Sequence, residues 1–401
     1  MADQVDQIPA NEDTEQSVYA DAPEKSSESD EKREAIQQAC QQRDVGALVQ
    51  LATSSGGLLD DELRRSAWPI LLGNVETSDE TDGSWKKLPR HRDEAQVELD
   101  VDRAFVYYPY CEPAELEMRK KELSDLIIET LRRYPMLSYF QGYHDIAQVF
   151  LLVLGQQLAR EALARVSLLR VRDYMLPSLS PAVRHLQLIP AILERADPKL
   201  RRHLSGTQPF FALAATLTLY AHDIQEYGDI ARLYDFLLAH EPVVAIYLFA
   251  AIILRRKNEL LKIPVNEPEM LHFTLSKLPQ PLDLEGMVES ALDLYNSYPP
   301  ESLPFRAWAR ISRYSVLKTA RDCARNSTLQ EAKQLFDLQH RQLQREEFRK
   351  KTGDLIWRYR RPVGGIALAV FVALVSIYLR RSGLDMTMWA YLRRLRVGLF
   401  G

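Results

Sequence analysis

The stretch Ser138-Tyr-Phe-Gln-Gly-Tyr-His-Asp145 decides how this chain is read. It lies between a segment ending at Tyr134-Pro135 and the apolar run Ile146 to Leu154. A polar octapeptide with a glycine, set between two core-forming segments, is where a rigid scaffold holds a functional loop. Upstream, Leu116, Leu123, Ile127, Leu131 and Tyr134 recur at helical spacing with charges opposite, which predicts a helix over Glu115 to Tyr134 ended by Pro135. Downstream, the nine-residue run closed by Gly155, apolar but for Gln148, is too short to cross a bilayer and predicts a buried helix.

Moving outward, the same periodicity predicts a helix from Asp60 or Asp61 to about Gly73, carrying Leu63, Ala67, Trp68, Ile70 and Leu71. Arg64 and Trp68, four apart, share one of its faces. Asn74 to Trp85 is polar and reads as an exposed loop, and Glu94 to Phe105 as a short helix on which Asp100 and Arg103 lie three apart. Further helices are expected at 158–175, 181–196, 209–225, 228–239, 243–256, 267–276 and 284–296. Strict two-residue alternation is hard to find, so the fold class is all-α.

The two ends differ from this middle. Residues 1–34 hold eleven Asp/Glu against three Lys/Arg and almost no large apolar residue. Such a segment cannot bury enough surface to offset its ordering entropy and is expected to be a disordered acidic tail. With −8 there and −4 overall, the remainder carries −4 − (−8) = +4, too little to suggest a nucleic-acid partner. Three scattered cysteines, Cys40, Cys111 and Cys323, make neither a disulfide framework nor a zinc site. The globular part is expected over 35–300, followed by a polar helical spacer over 301–355.

Val363 to Leu379 is a run of seventeen residues without a charge, preceded by Arg358, Arg360 and Arg361 and followed by Arg380 and Arg381. At 1.5 Å per residue it reaches about 26 Å, the short end for a membrane span and suited to a thin bilayer such as that of the endoplasmic reticulum. A single C-terminal transmembrane anchor is therefore expected over 356–381, with a short amphipathic end over 382–401. A buried core helix is the competing reading, but it has no need of basic clamps at both ends. The acidic N-terminus has no apolar core of a signal peptide, which together with the Lys/Arg bias around the span puts the large domain on the cytosolic side.

Several chemistries are absent from the chain. It has no Gly-x-x-x-x-Gly-Lys-Ser/Thr loop, no His-Glu-x-x-His and no Gly-x-Ser-x-Gly elbow, and its eight histidines are dispersed, so no metal site is expected. An arginine and a glutamine remain. A guanidinium can neutralise charge developing on a transferred phosphoryl group, and a carboxamide, both donor and acceptor, can orient a water. Taken alone, Arg103 beside Asp100 also fits a surface ion pair, and Gln141 among aromatics also fits a packed polar side chain.

Three segments resemble the motifs of TBC-domain GTPase-activating proteins for Rab GTPases. Arg64-Arg-Ser-Ala-Trp68 resembles Arg-x-x-x-Trp, and Val97-x-x-Asp100-x-x-Arg103 resembles Ile-x-x-Asp-x-x-Arg with Val for Ile. Tyr139-Phe-Gln141-Gly142 resembles Tyr-x-Gln-Gly. Arg232-Leu-Tyr-Asp235 is similar to a later Arg-x-Trp-Asp element, with Tyr234 in place of Trp. The likeness covers roughly 56 to 300 and is greatest to the family's membrane-anchored type, which shares Gly-Gly-Leu-Leu before the first motif and His at 144 where most of the family has Asn. Ala215 and Leu219 depart from it, standing where aromatic residues would be expected.

The resemblance implies an arginine finger at Arg103 and a glutamine finger at Gln141, supplied in trans to a Rab, with no hydrolytic site of the chain's own. It implies that Asp100 steadies Arg103, that Tyr139 and Gly142 shape the loop, and that Arg64, Trp68, Arg232 and Asp235 are structural. Asp145 is expected to N-cap a helix at Ile146, and His144 to be a structural hydrogen bonder. No cofactor is implied, since GTP and Mg²⁺ arrive in the partner. The implied protein acts on an early-secretory Rab at the endoplasmic reticulum membrane or early Golgi, regulating traffic between them. A non-catalytic, membrane-anchored Rab-binding adaptor or scaffold is the alternative.

Overall fold

The computed structural model describes residues 22–73, 75, 83–109, 112–321 and 327–381; side chains at 22–27, 355, 356 and 358–368 lie outside that description. The described residues are helical and contain no strand. The first six α-helices are α1 (Ala22–Gln42), α2 (Val45–Thr53), α3 (Asp61–Leu71), α4 (Glu94–Val101), α5 (Pro113–Arg133) and α6 (Tyr143–Leu169). Then come α7 (Ser180–Leu186), α8 (Leu188–Ala196), α9 (Pro198–His203), α10 (Leu213–Leu217), α11 (Tyr227–Ala239) and α12 (Val244–Arg255). The last six are α13 (Lys257–Leu260), α14 (Pro268–Leu275), α15 (Leu284–Ser297), α16 (Ala307–Arg310), α17 (Val316–Thr319) and α18 (Leu329–Arg381).

Helix ends follow local chemistry. Asp44, Asp60 and Asp283 each accept a backbone N–H three residues on, capping α2, α3 and α15. Helix α12, apolar all round in sequence, is buried from Val244 to Ile253 and packs against α8 and α15. The apolar run after the octapeptide and the helix expected near 158 are one element, α6, bent where Gly155 takes φ of 69°. The segment 209–225 holds a shorter helix than expected, α10, ended by a turn in which Leu219 and Tyr220 both have positive φ.

Three expectations need correction. Helix α1 already includes residues 22–34, the second part of the expected disordered tail. There Lys32 Nζ donates to Ser55 O at 2.6 Å, Arg33 pairs with Asp60, and the helix continues into the buried Ile36 and Ala39. Residues 1–21 lie outside the described part. Trp85, expected on an exposed loop, is only 5% exposed, and the Arg132 guanidinium lies 5.5 Å from its ring centre.

The globular unit runs to Gln339, so residues 301–339 are part of it and not a spacer. Buried polar pairing joins them to it. Asp173 accepts from Val316 N at 3.1 Å and faces His185 Nε2 at 2.8 Å, while Arg172 donates to Tyr314 O and to Thr319 Oγ1.

The second unit, from His340, is described by the rest of α18. Among the described residues no helix is long and apolar enough to cross a membrane. The expected span begins at Val363, and the side chains of 363–368 fall outside the description. Within the described part of the run, Val370, Phe371, Val372, Leu374, Ile377 and Tyr378 are all exposed. Residues 382–401, expected to form an amphipathic end, lie outside the described residues.

Candidate functional site

Helix α5 packs along α6, and the polar octapeptide crosses from one to the other. Gly142 ends its non-helical part with φ of 96°, a left-handed conformation open to glycine. A Cβ there would come within 2.5 Å of Thr218 Cγ2, so only glycine lets the loop pass this close to α10. The helix therefore starts at Tyr143, one turn before the expected Ile146. Asp145 is then not the N-cap: it sits in the first helical turn, where its charge suits the helix dipole.

The loop is pinned from both sides. Ser138 N donates to Met175 O at 2.8 Å, and Tyr139 N donates to Asp93 Oδ2 at 2.9 Å. Asp93 occupies the N-cap position of α4 but makes no cap, its carboxylate being used across the site. His91 and Arg92 both reach Leu137 O. None of these three was among the residues expected from sequence. The only local sign is an aspartate immediately before a helix, which by itself predicts a cap.

Asp100 is 2% exposed at the end of α4 and is the polar centre of the site. Gln96 Nε2 donates to it at 3.0 Å and the Tyr139 hydroxyl at 2.9 Å. Burial, then the negative charge of Asp100, pushes the Tyr139 phenol far above its ordinary value, so it stays a neutral donor. His144 Nδ1 lies 3.3 Å from the same hydroxyl, and burial lowers its pKa against the pull of Asp145 and Asp100. His144 thus sits within hydrogen-bonding reach of the Tyr139 hydroxyl.

Arg103 is held differently. Its Nη2 stands 3.5 Å from Asp100 Oδ1 and its Nε 3.3 Å from Leu99 O, while its side chain is 68% exposed. A 3.5 Å contact to a guanidinium left mostly in solvent is a weak one. The guanidinium can leave at little cost, since Asp100 keeps two other donors. Gln141 is exposed on the octapeptide, and it lines one open pocket with Arg103, Asp100, His144, Asp145 and His222. On the far wall His222 Nδ1 lies 3.0 Å from Asp145 Oδ2, and this contact holds the imidazole above its ordinary pKa.

The other expected motif residues are elsewhere, in a buried node. Arg64 Nε and Nη2 donate to Asp235 at 3.1 to 3.2 Å, and its Nη1 to Asp61 Oδ1 at 2.9 Å. Trp68 Nε1 and Leu58 N donate to the same Asp235 carboxylate at 2.8 and 3.0 Å. Arg232 pairs with Glu285 at 2.7 Å and donates to the carbonyls of Ala52, Thr53 and Ser54. Gly57, with φ of 57°, leaves room for this: a Cβ would lie 2.6 Å from Asp235 Oδ2. The Gly-Gly-Leu-Leu stretch thus lies directly over the node.

Chemically, the open pocket offers a weakly held, exposed guanidinium and an exposed carboxamide. Among the described residues no group of three or more His, Cys, Asp or Glu is arranged to hold a metal ion. The site's chemistry is suited to charge neutralisation and water orientation on something that enters from outside.

Residues 61–261 match the Rab-GTPase-TBC domain family. The chain is 35% identical over 346 residues to the TBC1 domain family member 20 of Bos taurus, covering 83% of this chain and 85% of that protein. It is 31% identical over 314 residues to the GTPase-activating protein gyp10 of Schizosaccharomyces pombe, covering 77% of this chain and 84% of that one. The crystal structure of the Ypt/Rab-GAP domain of Gyp1p superposes with a TM-score of 0.50 at 14% identity, over 64% of this chain and 94% of that domain, a likeness of fold. From its motifs, its helical fold and these relatives, the chain belongs to the Rab-GTPase-TBC domain family of Rab GTPase-activating proteins.

Proposed function

We propose that this protein accelerates GTP hydrolysis by an early-secretory Rab, with Arg103 as arginine finger and Gln141 as glutamine finger, and so restrains traffic from the endoplasmic reticulum to the Golgi. The observation that carries this is the exposed Arg103 guanidinium, weakly held over a buried, otherwise satisfied Asp100 and lining one open pocket with Gln141. An arginine supplied in trans neutralises charge on the transferring γ-phosphoryl group, and a carboxamide orients the attacking water. GTP and Mg²⁺ arrive with the Rab, and this chain holds no cofactor of its own.

The domain acts from the cytosolic face of the endoplasmic reticulum membrane, or the early Golgi, with Val363 to Leu379 as its anchor. What supports this is the charge-free run with arginines at both ends and the exposure of its described apolar side chains. Removing residues 356–401 should release the protein from the membrane fraction. Its retention there would rule the anchor out.

The deciding experiment is single-turnover GTP hydrolysis across a panel of GTP-loaded Rabs with the full chain, its Arg103→Ala variant and its Gln141→Ala variant. One or more early-secretory Rabs should be accelerated, and both variants should lose most of the effect while folding normally. Binding to a Rab with no acceleration would instead support the adaptor reading.

A further inference from the structure

The loop that follows Arg103 has no helical ladder to hold it. Phe105 has φ of 61°, the left-handed region that a bulky side chain disfavours by about 1–2 kcal/mol. Val106 and Tyr107 next to it are 72% and 56% exposed. Phe105 and Tyr108 are buried, Tyr108 5.6 Å from the Tyr227 ring, and one side chain hydrogen-bonds the backbone of both. Gln148, 6% exposed on α6, accepts from Phe105 N at 3.0 Å through Oε1 and donates to Tyr108 O at 3.1 Å through Nε2.

Both ends of one carboxamide are thus spent on the backbone of the segment beside Arg103. The same helix starts at Tyr143, two residues after Gln141, so α6 follows directly on one finger and clamps the loop adjoining the other. We propose that Gln148 is a positioning residue: it fixes the Phe105–Tyr108 loop and, through it, where Arg103 stands relative to Gln141. This rests on the finger assignments proposed above. Nothing local in the sequence marks Gln148, which lies within an otherwise apolar run.

Leucine has a similar size and neither hydrogen bond, so Gln148→Leu leaves Phe105 N and Tyr108 O unpaired. With a GTP-loaded Rab that the native full chain accelerates, kcat should fall roughly tenfold to a hundredfold, the scale of an ångström-sized misplacement. Interactions made only in the transition state leave KM unchanged, so KM should stay within about twofold. The Phe105 amide should also exchange with solvent deuterium faster in the variant, while the helical amides of α5 and α6 do not.

A Gln148→Glu variant covers the case in which Gln148→Leu does not fold. Its ionised carboxylate can accept from Phe105 N but cannot donate to Tyr108 O; protonated, it does both. Its turnover relative to the native chain at the same pH should therefore rise as pH falls. A folded Gln148→Leu with native kcat and native Phe105 exchange, or a Gln148→Glu variant with a flat relative pH profile, would overturn the proposal. Native turnover by Arg103→Ala is a different failure: it would sink the finger assignment, while Phe105 exchange would still report whether Gln148 holds the loop.

Discussion

Two arginine–aspartate pairs in this molecule share their chemistry and differ in everything else. Arg64 and Asp235 are 5% and 0% exposed, and the carboxylate also takes the Trp68 indole and the Leu58 amide. Arg103 leaves its side chain 68% exposed beside a buried Asp100 and touches it at 3.5 Å. In the first pair both ions are out of water, so removing either leaves the other without its buried counter-charge, at a cost of about 3–5 kcal/mol. In the second only the acid is buried, and it keeps two neutral donors when the arginine leaves. Burial commits the first pair to the fold, and exposure leaves the second free to meet a ligand.

That contrast can be broken at either end. The largest expected effect is on the pair with the exposed arginine: Arg103→Ala should lose about three to five orders of magnitude of stimulated hydrolysis. Arg103→Lys should lose most of the same, since an ammonium lacks the planar fork. Thermal unfolding of both should match the native chain, and a lysine variant with near-native single-turnover rates would remove the distinction between the pairs. Next comes Asp235→Ala, which should destabilise the domain by roughly 3–5 kcal/mol in denaturant titration while activity per folded molecule is kept. An unchanged denaturation midpoint would mean the node is not structural.

A smaller effect sharpens the account of Asp100. Tyr139→Phe deletes the donor at 2.9 Å and should reduce stability by about 0.5–1.5 kcal/mol, with turnover lowered by less than the Arg103 replacements. Turnover falling as far as in Arg103→Ala would make Tyr139 a direct participant.

The smallest effect belongs to His222. Asp145 raises its folded pKa above the unfolded value, with Asp223 adding to the pull. Its contribution to stability is therefore fully present below the unfolded pKa and is lost as pH rises through the folded one. With the ring 64% exposed, solvent screens most of it. Between about pH 5 and pH 8, melting temperatures of the native chain and His222→Gln should converge as pH rises. A gap that widened with pH would reverse the assigned sign.

Much of this was legible beforehand because helices are local. Their hydrogen bonds span four residues, so apolar spacing at Leu123, Ile127 and Leu131 reports α5 directly. The motif residues were also legible, since Arg103 and Gln141 lie within short patterns. Asp145 shows where local reading stops: it had the right type for a cap, but Gly142 takes the chain left-handed one turn earlier and moves it into the helix. Glu285 had no readable signal as the partner of Arg232, 53 residues away, and neither did Gln148 as the clamp on Phe105. The segment 301–339 reads as a spacer because it is polar, and no local pattern shows that Tyr314 and Val316 in it hydrogen-bond Arg172 and Asp173.

From the amino-acid sequence alone follow the all-helical class, the short motifs that contain Arg103 and Gln141, the acidic start and the charge-free run near the end. Each is a property of neighbouring residues. Only the tertiary structure separates the two arginines, because whether a guanidinium is surrounded or open depends on chain segments brought from far away. Arg64 and Asp235 are 171 residues apart, and no periodicity carries that distance. Arg103 and Asp100 are three apart, yet one is exposed while the other is buried and takes a hydrogen bond from Tyr139, 39 residues away.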